Sequence, residues 1–187
     1  MTRIAIFASG SGTNAENIIN YFQSLNSIKV TIVYCNKKTA GVFDRCKRLE
    51  VPCIWFSKEA FRDSSRVLHH LQLHADFIVL AGFLWKIPID FVLAFPQKIV
   101  NIHPALLPKY GGKGMYGMHV HRAVKENKET ETGITIHFVN KNYDEGAIIF
   151  QATTSVDSND SPEDIAKKVH QLEYLHFPKV IREVIEK

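Results

Sequence analysis

Apolar positions along this chain follow two rhythms. Nearly unbroken runs at 4–8, 29–35, 51–56 and 77–81 are rich in Ile, Val, Phe and other strand formers. Runs of that kind suit strands covered on both faces, as in parallel sheets. Between them the apolar residues thin to helical spacing. A helix is predicted from Thr13 or Asn14, either of which can cap it, to Leu25, and others over 41–50 and 59–74. In the last of these Phe61, Val67, Leu68 and Leu71 share one face. The order βαβαβαβ implies an α/β fold: a Rossmann-like, mostly parallel sheet with right-handed crossovers and helices on both faces.

The rhythm then changes. Residues 87–95 read as a short helix started by Pro88 near its first turn, and 98–102 as a further strand. Residues 110–117 are glycine-rich and irregular, and 120–127 are helical. Apolar and polar residues alternate over 134–139 and 147–154, which predicts a late antiparallel strand pair. Ser161 caps a last helix, with Pro162 at its first position and acids in its first turn; it runs toward Lys187 with an interruption at Pro178. No repeat or long linker divides the chain, so 1–187 is read as a single domain.

Composition narrows the class. Lys and Arg number 23 against 19 Asp and Glu, a net charge of +4. That excess is too small to argue for a nucleic-acid partner and suits a small anionic substrate. Cys35, Cys46 and Cys53 are odd in number and lack metal-ligand spacing, which points to reduced thiols and no metal. The N-terminus lacks the pattern of a signal peptide, and no apolar run approaches the roughly 20 residues that span a bilayer. A cytoplasmic protein without a membrane partner is expected.

Four stretches carry chemistry. Ser9-Gly10-Ser11-Gly12-Thr13-Asn14 joins the first strand to the first helix, where backbone N–H groups attract phosphate. It is neither the dinucleotide fingerprint, since Ala15 stands at the third glycine, nor a P-loop. Asn101-Ile102-His103-Pro104 ends a strand, so Asn101 and His103 point to the same side and offer an amide and an imidazole to a developing oxyanion. Taken alone, that tetrapeptide is more often a turn with a structural histidine. Asp144, ahead of Gly146, reads as turn chemistry unless the fold brings it to His103. Leu80-Ala81-Gly82-Phe83-Leu84-Trp85-Lys86-Ile87 suits either core packing or a slot for a flat ring.

In this order the motifs resemble those of the phosphoribosylglycinamide formyltransferases, a folate-dependent formyltransferase family. The resemblance spans nearly the whole chain and is most specific over Asn101-Ile102-His103-Pro104-Ala105-Leu106-Leu107-Pro108. It implies transfer of a formyl group from 10-formyltetrahydrofolate to the amine of 5-phospho-ribosylglycinamide (GAR), with no metal. It also implies the catalytic residues Asn101, His103 and Asp144. Gly12, Thr13 and Asn14 would grip the acceptor, joined by Glu173 and by Lys109 beside the long motif. Folate would meet Leu84, Trp85, Ile87, Val139 and Asn140. Arg62 or Arg66 would lie near the acceptor's phosphate or ribose, and the assembly would be a monomer or homodimer. Departures fall at Trp85-Lys86, where an Arg-Ile pair is expected, and in the long glycine-rich loop 110–118. His119 and His121 are expected to organise that loop.

The competing readings are other formyltransferases on the same fold, a hydrolase releasing formate, and a silent folate- or nucleotide-binding module. The first two are expected to carry an extra domain for which this length has no room. The third does not explain why all three candidate catalytic residues are present.

Overall fold

The computed structural model describes residues 1–63 and 65–187. Its seven strands are β1 (Thr2–Ala8), β2 (Ile28–Cys35), β3 (Cys53–Trp55), β4 (Phe77–Leu80), β5 (Ile99–His103), β6 (Glu131–Phe138) and β7 (Ile148–Ser155). They form one sheet in the order β3-β2-β1-β4-β5-β6-β7. Strands β1 to β5 are parallel, whereas β6 is antiparallel to both β5 and β7. The helices are α1 (Thr13–Gln23), α2 (Val42–Arg48), α3 (Lys58–Arg62), α4 (Ser65–His74), α5 (Ile89–Ala94), α6 (Met118–Glu126) and α7 (Pro162–Glu186).

The unbroken run of β1 is explained by two cores. Ile4, Ile6 and Ala8 pack with residues of α1, α2, α6 and α7; Ala5 and Phe7 pack with residues of α3, α4 and α5. The second core is aromatic. Phe7 stacks on Tyr34 at 4.8 Å between ring centroids and meets Phe83 edge-on at 5.3 Å. Trp85 packs edge-on against Phe56 at 5.8 Å, so this core also fixes the chain leaving β4.

Several expectations are corrected. Residues 59–74 form two helices rather than one: α3 stops at Asp63, whose ψ of 75° leaves the helical region. The predicted helix also crosses Ser64, which lies outside the described residues. The helix read over 87–95 is shorter, Ile89–Ala94, with Pro88 starting it as its N-cap. The cap of α1 is Gly12, which has no side chain to donate or accept, while Thr13 and Asn14 lie inside the first turn and Asn14 donates to Glu173. Most informative is α7, which runs unbroken through Pro178. A proline there cannot donate to the carbonyl four residues back, Tyr174. The Asn17 amide of α1 donates to that carbonyl instead, at 3.0 Å. With the orphaned acceptor satisfied and Pro178 itself buried, the helix continues.

Candidate active site

Loops leave the carboxyl ends of β1, β4 and β5 along one edge of the sheet. Strand β1 has β2 on one side and β4 on the other, and a crevice opens at such a switch in strand order. Here it is a cleft of about 490 Å³.

The first wall is the β1–α1 loop. Gly12 has φ of +79°, and a methyl group on it would lie 2.5 Å from Val42 Cγ2. Only glycine lets α1 start this close to α2. Arg45 Nε donates to the Ser11 carbonyl at 2.8 Å, and Glu16 holds both Arg45 and Arg48. The N-terminus of α1 therefore faces the cleft on a braced turn, a natural seat for an anion. Asn14 Nδ2 donates to Glu173 Oε2 at 2.8 Å, leaving Asn14 Oδ1 buried without a hydrogen-bond partner. Burial pushes the Glu173 carboxyl above its ordinary range, against the Asn14 bond and the nearby His170. Buried Ser9 ties this wall to the next: its Oγ accepts the Leu84 N–H at 3.0 Å, and its own N–H donates to the Gly82 carbonyl at 3.2 Å.

At the centre, β5 lies between β4 and β6, and the register sets Asn101 directly across from His137. His137 Nδ1 lies 2.8 Å from the Phe138 carbonyl, which can only accept, so the neutral ring carries its proton there. His137 Nε2 then accepts from Asn101 Nδ2 at 3.1 Å, which fixes the amide. His103 Nε2 donates to the Tyr110 carbonyl at 2.7 Å, and His103 Nδ1 faces Asp144 Oδ2 at 3.6 Å. The other Asp144 oxygen faces His137 Nε2, also at 3.6 Å. Both separations are too long for good hydrogen bonds, and a protonated His103 meets Asp144 mainly through charge.

Burial pushes His103 below its ordinary histidine value, while Asp144 and the Tyr110 carbonyl pull it back. Burial pushes the Asp144 carboxyl up, but His137, His103 and the Gly112 N–H, which donates at 2.9 Å, together hold it below its ordinary value. Asp144 takes a left-handed φ of +53°, a conformation Asp tolerates better than most residues. Two residues on, a side chain at Gly146 would run into the Phe138 carbonyl. The Asp-x-Gly spacing is thus what folds the β6–β7 connection back over His137.

The structure brings together most of the residues singled out above. Gly12, Thr13, Asn14, Asn101, His103, Asp144 and Glu173 line the cleft, and so does Leu84. Trp85, Ile87, Val139 and Asn140 line an adjoining slot, which Asn101 and Asp144 also border. The slot is narrow, about 60 Å³. Lys109 does not line the cleft; its exposed ammonium pairs with Glu129 at 3.0 Å. His119 packs on the Tyr116 ring, whereas His121 is buried, lines the cleft and has no partner at Nδ1. His137 and His170 were not anticipated as site residues. His137 reads in sequence as one more position of an alternating strand, and only the β5–β6 register shows what it faces. Among the described residues, no group of three or more His, Cys, Asp or Glu is placed to hold a metal ion. No described helix is long and apolar enough to cross a membrane.

Fold and site define an α/β enzyme whose crevice sets an anion grip beside an amide, an imidazole and a carboxylate. Residues 2–181 match the formyl transferase family. The chain is 40% identical, over 98% of its length, to the chloroplastic phosphoribosylglycinamide formyltransferase of Arabidopsis thaliana, and 31% identical, over 99%, to the phosphoribosylglycinamide formyltransferase of Bacillus subtilis. It spans 65% of the plant protein and 95% of the bacterial one. The crystal structure of the Bacillus halodurans phosphoribosylglycinamide formyltransferase superposes with a TM-score of 0.89 at 32% identity, covering 99% of this chain and 96% of that one. The chain belongs to the phosphoribosylglycinamide formyltransferases of the formyl transferase family.

Proposed function

We propose that the chain transfers the formyl group of 10-formyltetrahydrofolate to the amine of GAR, giving formyl-GAR and tetrahydrofolate for purine synthesis. The observation that carries this reading is the meeting of Asn101, His103 and Asp144 between the anion grip and the slot. Gly12, Thr13 and Asn14 hold the acceptor's phosphate, and Glu173 takes polar groups of the sugar. Trp85, Ile87, Val139 and Asn140 hold the folate ring, with Leu84 at the border of slot and cleft. Bound there, the folate supplies a formyl group on a good leaving nitrogen.

Negative charge gathers on the formyl oxygen as the amine adds. The Asn101 amide, oriented by His137, is one donor to that oxygen. Protonated His103 is the second, once its Nε2 leaves the Tyr110 carbonyl that occupies it here. Asp144 favours the charged imidazole; it takes a proton from the attacking amine and passes it on to the folate nitrogen, which leaves as its bond to the formyl carbon breaks. The 187 residues act as one formyltransferase domain, because a single sheet carries both walls of the site. The cytoplasm is the proposed compartment, on the strength of three free thiols.

The purified chain, mixed with GAR and 10-formyltetrahydrofolate, is expected to release deformylated folate. His103→Ala and Asp144→Ala should each lower turnover about 10²- to 10³-fold with little change in unfolding midpoint. Turnover with water or a charged tRNA but none with GAR would sink the assignment, and near-full activity in either variant would remove that residue from the mechanism.

A further inference from the structure

Helix α4 carries three histidines, His69, His70 and His74, that the proposed transfer leaves unused. His70 and His74 are four residues apart, so they share one helix face, one turn from each other; His69 falls on a different face. The His70 and His74 rings stack with centroids 4.1 Å apart and planes 15° from parallel. Each ring is pinned at Nδ1. His74 Nδ1 donates to the His70 carbonyl at 2.8 Å. A carbonyl only accepts, so the neutral His74 ring has its proton there and its lone pair on Nε2. His70 Nδ1 lies 2.7 Å from the hydroxyl of Tyr34, whose ring stacks on Phe7 in the core. Among the described residues, no hydrogen bond takes up Nε2 of either ring. His70 is half-buried and His74 exposed, so solvent reaches the pair. The chain leaves His74 at the amino ends of the strands: Thr31 Oγ1 donates to the His74 carbonyl at 2.6 Å, and the Asp76 N–H donates to the Arg3 carbonyl. The cleft opens at the opposite ends, and neither histidine lines it or the slot.

A ligating imidazole is held at its other nitrogen by an oxygen, which fixes its tautomer and orientation. Both rings here meet that condition, and the four-residue spacing lets one ion reach both. Late first-row divalent cations favour imidazole nitrogen, whereas Mg²⁺ and Ca²⁺ favour oxygen. We propose that His70 and His74 form a two-imidazole site for a late first-row divalent cation (Ni²⁺, Cu²⁺ or Zn²⁺), with water at its remaining positions. The cation takes Nε2 of each ring, and His70 Nδ1 then donates to the Tyr34 hydroxyl. Only the folded helix holds the two rings one turn apart. The ion therefore binds the native chain in preference and clamps the last turn of α4.

The test is a calorimetric titration of the full chain with Ni²⁺ at neutral pH, repeated on H70Q, H74Q and H69Q. His74 is exposed, so H74Q keeps the fold even where H70Q disturbs Tyr34. The wild-type chain should take up one equivalent of Ni²⁺ in its tightest phase. Loss of either ring removes the chelate, so H70Q and H74Q should each weaken that phase about tenfold or more. H69Q should change it less than about twofold. Excess Mg²⁺ should not displace the ion. Ni²⁺ should also raise the unfolding midpoint of the wild type more than that of H74Q. Absence of Ni²⁺ binding, a tight phase that survives H74Q, displacement by Mg²⁺, or equal midpoint shifts in the two proteins would each overturn the site.

Discussion

His103 sits between two acceptors, the Tyr110 carbonyl at Nε2 and the Asp144 carboxylate at Nδ1. A neutral ring satisfies one of them and sets a lone pair against the other. An imidazolium satisfies both, but burial resists the charge. Asp144 is what keeps the protonated form within reach. Asp144→Asn retains the shape and removes that support. Turnover should fall about 10²-fold or more. Since activity in this mechanism needs the imidazolium, it declines as pH rises through the His103 value, and the variant should lose activity at a lower pH than the wild type. Parallel pH–rate profiles for the two proteins would show that Asp144 does not act through His103.

Among the elements, α7 shows how a local rule is overridden from far along the chain. Proline in a helix interior predicts a break, and the sequence around Pro178 contains nothing to contradict it. The answer lies in Asn17 on α1, whose amide caps the freed Tyr174 carbonyl. Asn17→Ala should cost about 1 kcal/mol in chemical denaturation. Pro178→Ala restores the N–H, so the same Asn17→Ala change should cost less in that background; equal costs in both would separate the two residues. The same contrast divides what was legible in the sequence from what was not. The runs behind β1, β2 and β4 were readable because both faces are covered. The β1–α1 turn was readable because Gly12 must adopt a positive φ. The partnership of Asn101 with His137 was not, because strand register is set by tertiary packing. Lys109 was placed in the site by its neighbours in sequence, yet the chain turns it toward Glu129.

For the whole molecule, the cleft joins groups whose titrations oppose one another. His121 is driven from the ordinary 6.5 to about 4 by burial, and by the like charges of His170 and His103. The unfolded chain therefore binds more protons than the native one between those values, and this group's contribution to stability is complete above about pH 6.5 and lost as pH falls toward 4. Glu173, held high by burial, contributes in the reverse sense: its share is present below its ordinary 4.5 and is lost as pH rises through its native value. The informative measurement is a difference. Unfolding midpoints of His121→Phe and the wild type, compared from pH 7.5 to 4, should diverge steadily in the variant's favour as pH drops. A constant offset would mean that His121 is not held neutral by the fold.

The Ser9 bridge has a further consequence. By fastening the β1–α1 turn to Gly82 and Leu84, it holds the wall of the cleft against the chain that leaves β4. On the proposed assignment of the two seats the protein works as a gauge, and a donor is judged by whether its carbon reaches the mark where the amine waits. A folate analogue with one extra methylene between its ring and its formyl-bearing nitrogen could fill the slot and still overshoot, so reach as well as fit selects the substrate.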